Sequence, residues 1–311
     1  MRNRRRRIRR RRGCAPRVFV LFAILLTLGF GVYAMVANND EDYINEEAED
    51  YYIPDEYTQA YEEDALIPSL PLTPISTHQI IDTGYLALVN HNHPAPAEPD
   101  PALIAQAWPT VAVSRIDDMF LHQSALRAVS EMFTSARELD AGAFFVSSGF
   151  RDFYRQAYLY GDGGNSDYIM PPGFSEHHTG LAADILVVGI GMHELADTTE
   201  GRWMAANSYR YGLILRYPEG TQHITGIAFE PWHLRYVGRI HAYYMMQNNF
   251  VLEEYIDYIH NRGYFSFEKN GYTHYIFHQV PEGGMIYVPE GLDFVASSDN
   301  KGGYIIWTTL S

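Results

Sequence analysis

Hydrophobic and polar positions divide the chain into three kinds of stretch. Residues 18–37 read VFVLFAILLTLGFGVYAMVA without a single charge, about the length a helix needs to cross a bilayer. From 38 to about 78 no apolar period is sustained. Asp40, Glu41, Asp42, Glu46, Glu47, Glu49 and Asp50 crowd together, and Pro54, Pro68, Pro71 and Pro74 follow. Like charge and proline keep such a segment extended and solvated, so it reads as a tether. Regular patterning begins near Gly84.

In the patterned part, residues 85–89 predict a short buried strand. Leu121, Leu126, Val129, Phe133, Ala136 and Leu139 recur near helical spacing and predict an amphipathic helix over about 118–139. AFFVSS at 143–148 reads as a strand ending at Gly149, followed by a helix over about 152–161, and AADILVV at 182–188 as another apolar strand. A helix over 200–211 is stopped by Gly212. Residues 213–217 and 224–229 predict a hairpin around Pro218, Glu219 and Gly220. Pro231 suits a first helical position, so a helix is expected from there to about Asn248, and a shorter one over 251–261. The tail, 263–311, is rich in Tyr, Phe, Ile and paired glycines and predicts short strands. Strands and helices mix without a βαβ rhythm, which gives an α+β fold with an antiparallel central sheet flanked by helices.

Composition changes this picture in one respect. The 311 residues, 47% hydrophobic and with 24 tyrosines, suffice for a full-sized domain with attachments. The net charge of -15 conceals an asymmetry: ten of the 23 basic residues lie in the first 17 positions, leaving 13 against 38 acidic residues in the remainder. That balance argues against nucleic acid as a partner of the folded part. The arginines at 2, 4–7 and 9–12 precede the apolar run and place the N-terminus in the cytoplasm and everything after Ala37 outside. The expectation is a cytoplasmic segment, 1–17, and a single-pass membrane anchor, 18–37. A cleaved signal peptide, with Val32 and Ala34 offering small residues near a cut, is the alternative. Cys14 is the only cysteine, so neither an internal disulfide nor a thiolate metal site is available.

Three stretches concentrate chemistry: SGFR at 148–151 with Gln156 behind it, SEHHTGLAAD at 175–184, and EPWH at 230–233. A metallohydrolase needs about three His or carboxylate ligands, one open position for water, and a carboxylate to accept that water's proton. His177 and Asp184 flank a Thr–Gly–Leu turn that a following strand can close. Glu230 precedes a proline and is biased to extended backbone, and His233 is expected in the first turn of the next helix. Each residue also has a plainer reading: a hydrogen-bonded structural histidine, a turn aspartate, a helix-capping glutamate. Their clustering favours a metal. His178 points elsewhere on an extended segment, and His193, His223 and His241 are reserves.

These segments resemble the VanY-type D-alanyl-D-alanine carboxypeptidases, zinc D,D-peptidases whose fold is shared with hedgehog signalling domains, over roughly residues 79–248. The pattern Ser-x-His-x-x-Gly-x-Ala-x-Asp is met by Ser175, His177, Gly180, Ala182 and Asp184; Glu-Pro-Trp-His-x-Arg-Tyr-Val-Gly is met from Glu230 to Gly238; and YGLILRYP lies between them at 211–218. His178 stands where the family commonly has glutamine. The resemblance implies one zinc ion per chain on His177, Asp184 and His233, with Glu230 as general base and acid. It also implies Arg151 gripping a substrate carboxylate or the oxyanion, Gln156 and Ser175 hydrogen-bonding the peptide, and Trp232 forming the site wall. With the acidic, proline-containing linker over 38–78, this gives a zinc carboxypeptidase domain over 79–249 and a C-terminal helix and β-rich extension over 250–311. The activity it implies is removal of the terminal D-alanine from peptidoglycan stem peptides, outside the cytoplasm. An L,D-carboxypeptidase or endopeptidase on the same scaffold, and a non-catalytic zinc-bearing wall-binding module, are the alternatives.

Overall fold

A computed structural model of the protein describes residues 70–96, 99–161 and 167–311. The basic block, the apolar run 18–37 and the acidic stretch lie outside the described residues. Among the described residues, no helix is long and apolar enough to cross a membrane.

In chain order the elements are β1 (Leu72–Ser76), β2 (Ile104–Gln106), β3 (Phe120–His122), α1 (Gln123–Glu138), β4 (Phe144–Ser148) and α2 (Phe153–Tyr160). Next come β5 (Ala182–Val187), α3 (Thr199–Asn207), β6 (Leu213–Leu215), α4 (Gln222–Thr225), β7 (His233–Tyr236) and α5 (Arg239–Asn248). The chain closes with α6 (Leu252–Arg262), β8 (Tyr264–Lys269), β9 (Tyr272–Gln279), β10 (Met285–Pro289), β11 (Val295–Ser298) and β12 (Tyr304–Leu310). The fold is α+β, but the antiparallel strands divide between two four-stranded sheets, ordered β4-β5-β7-β6 and β11-β12-β9-β8, with two smaller pairs, β1-β10 and β2-β3.

Helix α1 turns Ala125, Leu126, Val129, Met132, Phe133 and Ala136 inward at the spacing of one helical face. That face packs on Phe144, Val146, Ala183, Ile185 and Leu234 of the first sheet. Strand β5 is apolar along most of its length because both of its faces are covered, and Asp184 is its one charged residue. A second core joins Leu86, Leu88, Ile214, Val237 and Met245 to Tyr255, Ile256 and Ile259 of α6 and to Phe265, Ile276, Ile305 and Trp307. Residues 250–311 therefore share a core with the preceding part and do not form a separate appendage.

Several expected elements differ. Residues 86–89 are buried, with Tyr85 partly so, but 85–89 form no strand: the amide of Leu86 donates to Ser297 Oγ, and Arg235 Nη2 donates to the carbonyls of Tyr85 and Ala87. The end of the expected linker is folded, with residues 72–76 paired antiparallel to β10. Pro74 is tolerated there because β1 is an edge strand, where a missing N–H need not interrupt a ladder. The predicted hairpin is not formed: residues 222–225 make a helical turn, and β6 pairs with β7. Nor does a helix start at Pro231. The segment 233–236 is drawn into the ladder on both sides, by β5 and β6, and helix α5 begins only after Gly238, at φ 88°.

Candidate active site

Asp184 and His233 face each other directly across the β5–β7 ladder. A one-residue slip would put them on opposite faces of the sheet. Their side chains meet with His233 Nδ1 3.0 Å from Asp184 Oδ1. His177 enters from the 3-10 turn Glu176–Thr179 that precedes β5, whose first turn is capped by Ser175 Oγ accepting from the amide of His177. Gly180 then reverses the chain at φ 69°; a Cβ there would lie 2.7 Å from Ile104 Cδ1 and 3.0 Å from the His122 nitrogen. The turn brings His177 Nε2 to 3.4 Å from Asp184 Oδ1. One donor atom from each of His177, Asp184 and His233 falls within 4.8 Å of the other two, and all three residues are buried. Glu230 joins them, Oε2 lying 3.5 Å from His233 Nδ1.

The imidazoles are oriented from behind. His177 Nδ1 donates to the carbonyl of Gly149 at 2.7 Å, which leaves Nε2 as the bare nitrogen; it is buried and has no hydrogen-bond partner. Such an orphan atom, facing a carboxylate and a second imidazole, fits a cation ligand. Gly149 must be glycine, since a Cβ would meet the Phe120 carbonyl at 2.3 Å. His233 turns Nε2 toward Glu176 Oε2 at 3.6 Å.

Glu176 belongs to a buried charge network. Its Oε1 accepts from Arg216 Nε and Arg235 Nη1, both at 2.8 Å, and Arg216 also donates to both oxygens of Glu253 on α6, at 2.8 and 2.6 Å. Sequence reasoning missed all four residues. A signal was present: Arg216 and Arg235 interrupt apolar strand segments, and a charge in a buried strand requires a partner.

This packing sets protonation. Burial, with help from Arg151, lowers His177 to about 4, so its imidazole is neutral near pH 7. Burial also pulls His233 down, but its hydrogen bond to Asp184 and the facing carboxylates of Glu176 and Glu230 outweigh that and raise it to about 9. Asp184 is held well below the ordinary carboxylate range: burial works against ionisation, and His177 and His233 overcome it. Burial pushes Glu230 up to about 8; His233 and Arg151 oppose the shift and Asp184 adds to it.

Arg151 stands at the rim. Its Nη1 donates to Gln156 Oε1 at 3.0 Å, its Nη2 lies 3.5 Å from Asp184 Oδ2, and its Nε has no hydrogen-bond partner among the described residues. Gln156 was expected to bind the peptide. It is instead buried with both ends of its amide engaged, since Nε2 donates to the Met170 carbonyl at 2.7 Å, so it orients Arg151. Ser175 acts as the cap of the His177 turn. Trp232 is buried, with its ring edge-on to His193 at 5.0 Å. His178 does not join the cluster. Its Nδ1 donates to the Arg151 carbonyl and its Nε2 accepts from the Gly173 amide, which braces the loop behind Arg151. His241 is buried against the Tyr255 hydroxyl, and His223 is exposed with Nδ1 on the Gly220 carbonyl.

Comparison with known proteins gives concordant results. The family model described as VanY, D-alanyl-D-alanine carboxypeptidase, matches residues 118–239. A D-alanyl-D-alanine carboxypeptidase of Enterococcus faecium is 35% identical over 242 residues, covering 74% of this chain and 77% of its own length. The crystal structure of the vancomycin resistance D,D-dipeptidase VanXYg, in complex with a D-Ala-D-Ala phosphinate analog, superposes with a TM-score of 0.66. It covers 77% of this chain and 99% of its own, and at 24% identity it shows the shared fold. The LdcB LD-carboxypeptidase superposes with a TM-score of 0.51 at 33% identity, covering 56% of this chain and 86% of its own.

Proposed function

Because the chain belongs to the VanY family of D-alanyl-D-alanine carboxypeptidases, we propose that the cluster around Asp184 is its hydrolytic centre and that the substrate is the peptidoglycan stem peptide. The observation that carries this reading is the convergence of two imidazole nitrogens and one carboxylate beside the further carboxylate of Glu230.

Zinc suits this nitrogen and oxygen donor set, and His177 Nε2, His233 Nδ1 and Asp184 would hold it. When bound, the ion supplies Lewis acidity that polarises the scissile carbonyl and acidifies the attacking water. Glu230 accepts the water's proton and returns it to the departing amine of D-alanine. Its carboxyl is raised toward neutrality by burial, which suits a group that must both take and give a proton near pH 7. Arg151, held by Gln156, offers its free Nε–H to a terminal carboxylate or the developing oxyanion. Trp232, packed with Tyr168 and His193, walls the site on that side.

We extend the reading to location. The basic block and the apolar run 18–37 make a single-pass anchor with a cytoplasmic N-terminus and an extracytoplasmic enzyme.

The test is Glu230→Gln, assayed by mass spectrometry on stem pentapeptides and tetrapeptides. The variant is expected to retain zinc and to lose about 10²–10⁴-fold in kcat. Wild-type protein should release D-alanine from the pentapeptide and leave the tetrapeptide intact. Full turnover by Glu230→Gln, or by metal-free protein, overturns the mechanism; cleavage confined to the tetrapeptide overturns the substrate.

A further inference from the structure

A second set of two imidazoles and one carboxylate lies among the C-terminal elements. His260 comes from α6, His278 from β9 and Asp299 from the turn after β11. One donor atom from each falls within 4.8 Å of the other two, the same convergence seen at His177, Asp184 and His233. No spacing pattern announces the set, because its members come from three elements spread over 40 residues.

Both imidazoles address one oxygen. His260 Nε2 lies 2.8 Å and His278 Nε2 3.0 Å from Asp299 Oδ2. The rings are stacked at 3.9 Å and 29°, so the two nitrogens sit side by side. The other oxygen, Oδ1, is fixed by the amides of Lys301 at 2.7 Å and Gly303 at 2.9 Å. The backbone thus aims Oδ2 at the histidines. The carboxylate is fully buried while the imidazoles are 22% and 13% exposed, so the cluster reaches the surface through the rings. Residue 303 must be glycine: a Cβ there would lie 2.1 Å from His278 Nε2 and 2.6 Å from Asp299 Oδ2. A side chain at 303 would fill the space between the donors.

In the absence of an ion, Asp299 Oδ2 can accept an N–H from each ring. One divalent ion satisfies all three donors together. Tetrahedral zinc with bonds of about 2.0–2.1 Å sets ligand atoms about 3.3–3.4 Å apart, so the observed separations need open by only about 0.3–0.6 Å.

We infer that His260, His278 and Asp299 form a structural site for a divalent d-block cation, zinc first among them. The ion pins α6 to the second sheet and to the segment before β2. That segment hangs on the same turn, with the Leu88 amide donating to the Asp299 carbonyl and Asn300 Nδ2 donating to the carbonyls of Leu88 and Pro94. Helix α6 in turn carries Glu253 into the network behind His233. The site is independent of the hydrolytic reading, since its donors belong to different elements.

The experiment uses the untagged full chain, stripped with a chelator and titrated with Zn²⁺ by calorimetry, with bound metal counted by elemental analysis. Wild-type protein should take up about two ions, and His260→Gln/His278→Gln about one while keeping its peptidase activity. A His177→Gln/His233→Gln variant should still take up about one ion, and its Tm should rise on zinc addition; adding His260→Gln and His278→Gln should abolish both responses. If His177→Gln/His233→Gln binds no zinc and shows no Tm response, the second site does not exist. That variant decides the question even if the His260 and His278 replacements fail to fold. Failure of the hydrolytic centre to hold metal looks different: wild-type zinc would then be lost on replacing His260 and His278 and kept on replacing His177 and His233.

Discussion

Replacing Glu176 with Gln removes one charge from a closed set of two carboxylates and two guanidiniums. The side chains of Glu176, Arg216 and Arg235 have no exposure, so the positive charge left behind has no water to meet it. Breaking a buried pair from one side costs about 3–5 kcal/mol. Glutamine keeps the shape and one acceptor oxygen, which sets the expected loss at the lower end, about 3 kcal/mol. At about 2–4 °C per kcal/mol for a folded part of this size, Tm should fall by about 6–12 °C. The same carboxylate faces His233 Nε2, so zinc affinity should fall by about 10–100-fold, the usual effect of losing a ligand's outer partner.

The pH dependence has a definite sign. Burial alone would raise the Glu176 carboxyl, but Arg216, Arg235 and His233 hold it well below its ordinary 4.5. Its contribution is complete above that value and is lost as pH falls below it. The gap between wild type and variant should therefore be full at pH 7 and close progressively in acid. Thermal and urea unfolding of the metal-free proteins, followed by circular dichroism, measure the stability; competition against a chelator measures the zinc. A variant within about 1 kcal/mol of wild type, with unchanged zinc affinity, would refute the assignment of Glu176 as the brace of His233.

Two further outcomes are expected. His233 is raised to about 9 and must lose its Nδ1 proton to become a donor, so zinc affinity at the His177 site should increase at least about tenfold per pH unit as pH rises toward 9. Calorimetry in buffers of differing ionisation enthalpy, in the His260→Gln/His278→Gln background, should detect net proton release at pH 7, and binding without it would contradict the protonation scheme. Gln156→Ala frees Arg151 Nη1 and should raise KM about tenfold, a loss of about 1.4 kcal/mol in ground-state binding, while bound zinc is unchanged; steady-state kinetics with metal analysis check this.

Local periodicity made α1, β4, α2, β5 and α6 legible in the sequence, and the motifs holding His177, Asp184, Glu230 and His233 made the cluster legible once their resemblance to the VanY type was added. What failed was decided at a distance. Pro231 fits a helix start as well as a turn, and the choice was made by pairing of residues 233–236 with β5 and β6. The segment 85–89 has the composition of a strand, but its backbone groups are satisfied by Ser297 and Arg235, more than 140 positions away. Pro71 and Pro74 suggested an extended tether, yet an edge strand accepts proline. The buried glutamate and arginine partners lie in four separate segments, and no local pattern joins them.

The separation of Asp184 from His233 is 49 positions along the chain but a single rung across the sheet. Interstrand spacing, not the polypeptide between them, fixes how far apart these donors stand. The intervening surface loops can lengthen or shorten without disturbing the coordination geometry, provided the rung, the pairing of β6 with β7, Arg216 and Glu230 are kept. Chemistry and selectivity are thereby assigned to different parts of the molecule, and a change of peptide preference can arise by remodelling the surrounding walls alone.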